Sequence, residues 1–79
     1  MARVLLFGRL ADQAGWRDRR IEAGDLSALR AALAKEDADL GEALAGPGVQ
    51  VAVDKVLVRG EAALAAGTEV AFLPPMSGG

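Results

Sequence analysis

A chain of 79 residues makes one domain, and at this size folding buries only about 60% of the unfolded surface, which leaves a thin core and little room for a substrate cavity. Hydrophobic residues make up 52% of the chain with no block of like charge, which argues against disorder, and the net charge of -2 comes without the basic, aromatic-interleaved stripe that nucleic acids require. With no His and no Cys, nucleophilic triads, thiol redox pairs and the usual zinc sites are excluded.

In chain order, Val4-Leu5-Leu6-Phe7 is a continuous run of strand formers, and Gly8 after it permits a bend. Leu10 to Ala14 reads as a helical turn that stops at Gly15, and Arg17 to Ala23 returns as a more polar strand, making a hairpin with a long connection. Arg17, Arg19 and Arg20 fit the solvated edge of a sheet. Asp25 or Ser27 caps the strongest helix, in which Leu26, Leu29 and Leu33 recur on one face. A second short helix is expected between Asp37 and Ala45, ended by Gly46-Pro47-Gly48. Glu36, Asp37 and Asp39 form the one acidic cluster, which reads as a hydrated helix end, so no metal is assigned. Val49, Val51 and Val53 alternate, Asp54-Lys55 turns, and Val56-Leu57-Val58 completes a second hairpin. Leu64 reads as a plug beneath a loop, Gly67 closes that loop, and Glu69 to Leu73 is the last strand, stopped by Pro74 and Pro75.

The order hairpin, helix, hairpin, strand predicts an α+β fold, a mixed sheet with one main helix on one face, known as the β-grasp or ubiquitin-like fold. The domain is expected over residues 1–73, with residues 74–79 as an extended C-terminal tail ending in Gly-Gly. Alternation assigns Val4, Leu6, Val56, Val58, Val70 and Phe72 to the helix side and leaves Leu5, Phe7, Leu57 and Leu73 on the open side. Four large apolar residues there predict a docking patch for another protein. The competing expectation is that Met1, Leu10 or Trp16 folds over this face.

The tail Pro74-Pro75-Met76-Ser77-Gly78-Gly79 begins stiffly and ends without side chains. At ~3.1 Å per residue in polyproline II geometry it reaches up to ~19 Å, and Gly78 and Gly79 present only backbone to a narrow channel. Ser77 and Lys55 are the remaining nucleophiles, but no base in the chain is placed by sequence to activate either. No apolar run approaches the ~20 residues that span a bilayer, and no signal peptide is evident, so a cytoplasmic location is expected.

Glu69-Val70-Ala71-Phe72-Leu73-Pro74-Pro75-Met76-Ser77-Gly78-Gly79 strongly resembles the C-terminal signature of the molybdopterin synthase small subunit, the MoaD family. The resemblance continues through Val4-Leu5-Leu6-Phe7, Leu26-Ser27-Ala28-Leu29, Val51-Ala52-Val53 and Leu57-Val58, and departs from the family at Asp54, Thr68 and Met76. It implies a sulfur carrier whose Gly79 carboxylate is adenylated by an ATP-dependent activating enzyme and converted to a thiocarboxylate by a sulfur donor protein. The thiocarboxylate then gives its sulfur to cyclic pyranopterin monophosphate in the large, catalytic subunit, forming the molybdopterin dithiolene. The resemblance further implies that Pro74, Pro75, Met76, Ser77 and Gly78 are bound as the tail, that Phe7, Leu57 and Leu73 meet the large subunit, and that this chain binds no cofactor, ATP being used by its partner. Carriers for thiamine, cysteine or tRNA thiolation, and ubiquitin-like protein modifiers, share the Gly-Gly ending and remain alternatives. A binding module with an inert tail is a third.

Overall fold

The structure, a computed structural model, describes residues 1–75. Eight elements follow one another: β1 (Ala2–Leu6), α1 (Gly8–Ala14), β2 (Asp18–Ile21), α2 (Leu26–Glu36), α3 (Ala38–Leu44), β3 (Gln50–Val53), β4 (Val56–Val58) and β5 (Glu69–Leu73). The strands form one sheet in the order β2-β1-β5-β3-β4. The central pair, β1 and β5, runs parallel with Val4 opposite Val70 and Leu6 opposite Phe72, and the remaining pairs are antiparallel. This is the expected β-grasp arrangement.

Side chains cap the starts of α2 and α3, whereas α1 starts without one and each helix stops on a backbone N–H. Asp25 accepts from the Ala28 N–H at 2.8 Å and opens α2, and Asp37 accepts from the Leu40 N–H at 3.1 Å to open α3. All three helices bury their apolar residues on one side of the sheet. Leu10, Leu29, Leu33, Leu40 and Leu44 join Val4, Leu6, Val51, Val70 and Phe72 in a single cluster. Leu64, the predicted plug, is buried in that cluster beneath the loop. No helix among the described residues is long and apolar enough to cross a membrane.

The turn at Asp54-Lys55 has positive φ at both residues, 47° and 69°, as a two-residue hairpin loop of the primed type demands. An acidic side chain tolerates this conformation because it bonds locally. The Asp54 N–H donates to the Glu69 carbonyl at 2.8 Å, and the Asp54 carboxylate accepts the Glu69 N–H at 2.9 Å.

Two expectations change, one about exposure and one about where a strand ends. Val56 does lie on the helix side, opposite Val53, but it is 64% exposed, because β4 is an edge strand that the helices do not reach. The apolar run Val4 to Phe7 leaves the regular strand at Leu6, and Phe7 continues extended for one residue, donating its N–H to the Phe72 carbonyl at 3.2 Å.

Candidate functional site

Register defines the open face of the sheet. Residues directly opposite share a side, so one row reads Leu5, Ala71, Ala52, Leu57 across four strands. Leu73 lies opposite Gln50, and the extended Phe7 continues the parity of Leu5 beside it. Phe7 and Leu57 are exposed at 44% and 58%, whereas Leu5 and Leu73 are half-buried, because these two sit on interior strands with neighbours on both sides. Ala71 and Ala52 are buried without belonging to the main core, and they form the floor between the larger side chains.

None of the three residues able to cover this face does so. Leu10 is buried in the core, Met1 is exposed, and Trp16 packs against the core, with the Arg19 guanidinium 5.0 Å above its ring. Arg19 pairs with Val4 and therefore stands on the helix side. The described residues thus leave an apolar surface of Leu5, Phe7, Leu57 and Leu73 open.

β5 delivers the chain from this face directly into Pro74 and Pro75, both half-buried. Two glycines receive them. Gly8 (φ +55°) lies so close to Pro74 that a methyl group on it would stand 3.0 Å from the proline Cγ, and one on Gly48 (φ +82°) would stand 2.7 Å from the Pro75 Cβ. Each glycine combines a left-handed backbone with a space that a side chain would fill. The expected extension of all six residues from the body is therefore modified, since the first two lie against it. Met76, Ser77, Gly78 and Gly79, the remaining tail residues expected from sequence, lie outside the described residues.

Charge borders this region: Asp18 lies opposite Leu5 on the open side of the sheet, and Arg9 lines the same surface pocket as Pro75. Arg3 and Asp18 pair at 2.7 Å at the β2 edge, where the hydrogen bond from Arg3 holds the Asp18 carboxyl below its usual range and raises the Arg3 guanidinium. Arg19 likewise lowers Glu36 at 2.9 Å. Glu61 is lowered by hydrogen bonding from Ser27 and then from the Ala62 N–H, which ties its loop to the start of α2. Lys55 sits beside the Glu69 end of β5, roughly 16 Å of strand from Pro74, too far to act on the tail root. Among the described residues no three acidic side chains gather to hold a metal ion. Among the described residues, this corner presents an apolar surface beside the seated Pro74 and Pro75 and holds no acid–base pair.

Sequence reasoning found the four large apolar residues and both prolines, but not the glycine seat or the alanine floor. Gly8 read as a bend and Gly48 as a helix stop, and both readings are correct locally. Their second role depends on where β5 ends in space, which only the assembled sheet fixes.

No curated protein matches the chain. Among solved structures, SAMP1 from Haloferax volcanii superposes with a TM-score of 0.86 at 28% identity, covering 99% of this chain and 98% of the other. A second structure of H. volcanii small archaeal modifier protein 1 gives 0.78 at 24% identity over 95% and 97% of the two chains, a likeness of fold. The complex of subunits 1 and 2 of molybdopterin-converting factor from Helicobacter pylori 26695 supplies a chain that matches at 0.74 and 29% identity, over 99% and 97%. The profile of the ThiS family matches residues 4–79. Sheet order, helix placement and this near-complete match agree: the chain belongs to the ThiS family and has the ubiquitin-like fold of the ThiS/MoaD-type sulfur carriers.

Proposed function

We propose that this chain is the sulfur carrier subunit of molybdopterin synthase. The observation that carries the reading is the continuity of the open apolar face, through Leu73, with the seated Pro74-Pro75 root of a Gly-Gly ending. A partner that covers Phe7, Leu57 and Leu73 receives the tail from the same corner. The likeness to a chain of the Helicobacter complex supports a large catalytic subunit as that partner.

The chemistry takes place on Gly79. Its carboxylate attacks the α-phosphate of ATP in an activating enzyme and releases pyrophosphate. The acyl adenylate then has AMP as a leaving group where the bare carboxylate had only oxide. A persulfide on a donor protein displaces AMP to give an acyl disulfide, and a thiol then reduces its S–S bond, releasing the thiocarboxylate and forming a disulfide with the donor's sulfur. In the large subunit the thiocarboxylate sulfur bonds to a side-chain carbon of cyclic pyranopterin monophosphate as that carbon loses its oxygen, as a phosphate ester oxygen or as water. Water then cleaves the acyl–sulfur bond, returning the Gly79 carboxylate and leaving sulfur on the pterin. Two carriers supply the dithiolene. The chain itself holds no cofactor in this cycle and works in the cytoplasm, where its ATP-using partner acts.

The test is intact mass spectrometry of the chain after incubation with ATP, a sulfur source and its activating enzyme, with fragmentation to locate the change. Exchange of one oxygen for sulfur at Gly79 is expected. An unchanged mass beside a demonstrably active enzyme sinks the proposal. The likeness to small archaeal modifier protein 1 favours a second reading, in which activated Gly79 acylates lysine amines of other proteins. That reading predicts lysine residues carrying a Gly-Gly remnant after digestion, and no transfer of sulfur to the pterin.

A further inference from the structure

We infer that Gly8 and Gly48 are positioning residues that set the direction in which the tail leaves the domain; the consequence for catalysis rests on the sulfur-carrier reading. The two glycines lie far apart in sequence, one at the start of α1 and one just before β3, yet they receive consecutive prolines. At each the backbone is left-handed, and the nearest atoms to the missing methyl belong to the proline: 3.0 Å to Pro74 Cγ at Gly8 and 2.7 Å to Pro75 Cβ at Gly48. Proline contributes a fixed φ, so a contact on its ring orients the backbone that follows. Two such contacts in succession hold the root of the tail from two sides. On the sulfur-carrier reading the reacting group lies a few residues beyond Pro75, and reaction rates are sensitive to displacements of about 1 Å at the reacting group.

Alanine at either position changes two things at once, backbone strain and the contact with proline, and the molecule contains a control that separates them. Gly60 has φ +80°, and a methyl placed on it meets nothing within 4 Å. Gly60→Ala therefore carries the strain without the contact. Both measurements use the full chain. Since it has no cysteine, nitroxide labels go only where Lys55→Cys and Ser77→Cys introduce them. Gly48→Ala and Gly8→Ala are expected to shift the label-to-label distance distribution measured by pulsed electron resonance, and Gly60→Ala to leave it unchanged. In unlabelled chains, kcat for Gly79 modification by the activating enzyme is expected to fall about tenfold in Gly48→Ala relative to Gly60→Ala. KM should change less than about twofold, because the substitution alters the aim of the tail and not the exposed surface of the folded domain. Identical distance distributions in Gly48→Ala and Gly60→Ala overturn the seat. Shifted distributions with equal kcat overturn its positioning role. A distribution shifted only by the seat variants, in a chain whose Gly79 is never modified, upholds the seat and removes the sulfur-carrier reading instead.

Discussion

Asp54 illustrates how one residue serves two elements. Its left-handed backbone closes the β3–β4 turn, while its carboxylate takes the Glu69 N–H at the start of β5, where the chain turns away from the ladder. Asp54→Ala removes that acceptor and strains the turn, and urea unfolding should register a loss of about 1–3 kcal/mol. Asp54→Asn keeps an oxygen in place and should cost less than about half of that. The titrating side chains make a different prediction. Asp18, Glu36 and Glu61 all have folded pKa values below their unfolded ones, the first two through arginine partners and Glu61 through Ser27 and Ala62. Groups of this kind stabilise the fold above the unfolded carboxylate pKa, and that stability is lost as pH falls through the folded pKa. The melting temperature should therefore stay level from neutrality to about pH 4.3 and decline below it. Glu61→Gln should make the decline shallower. Added salt should weaken the contributions of the two exposed arginine pairs.

At the scale of elements, the sheet has two unlike faces, one packed into the core and one left open. Phe72 and Leu64 fill the helix side, and truncating either to alanine should destabilise by about 2–5 kcal/mol in denaturant titrations, since each leaves a cavity among fixed neighbours. Phe7→Arg and Leu57→Arg alter exposed side chains and should leave the unfolding midpoint within about 0.5 kcal/mol of the parent. Titration calorimetry against the large subunit should nevertheless show weakening by a factor of ten or more, because each charge would be buried in an apolar contact. This division of faces was legible because period-two alternation assigns sides without any coordinates: Leu5, Phe7, Leu57 and Leu73 fell together by parity alone. How deeply each side chain is covered was not legible. Val56 has the correct parity and stays exposed, since coverage depends on where the helices lie over the sheet and β4 is beyond their reach. The pairing of Gly8 with Pro74 and of Gly48 with Pro75 escaped sequence reasoning for a related reason. Contacts between segments 66 and 27 residues apart leave no periodic trace.

For the whole molecule, the body and the chemistry are separable. Removing Gly79 should abolish sulfur transfer in a reconstituted assay while the melting temperature and large-subunit affinity of the chain stay close to the parent, because a terminal glycine carries almost none of the core. Loss of folding in that variant would contradict the division. β5 is not separable in this way. It lies between β1 and β3 in the sheet, though every other element precedes it in the chain. Without it the two hairpins share no edge, and Val70 and Phe72 are missing from the middle of the core. The earlier elements therefore have nothing to join them until the last strand is in place. A chain cut short before β5 has no joined sheet on which Phe7 and Leu57 could share one surface, so a truncated copy should not compete for a partner that docks on that face.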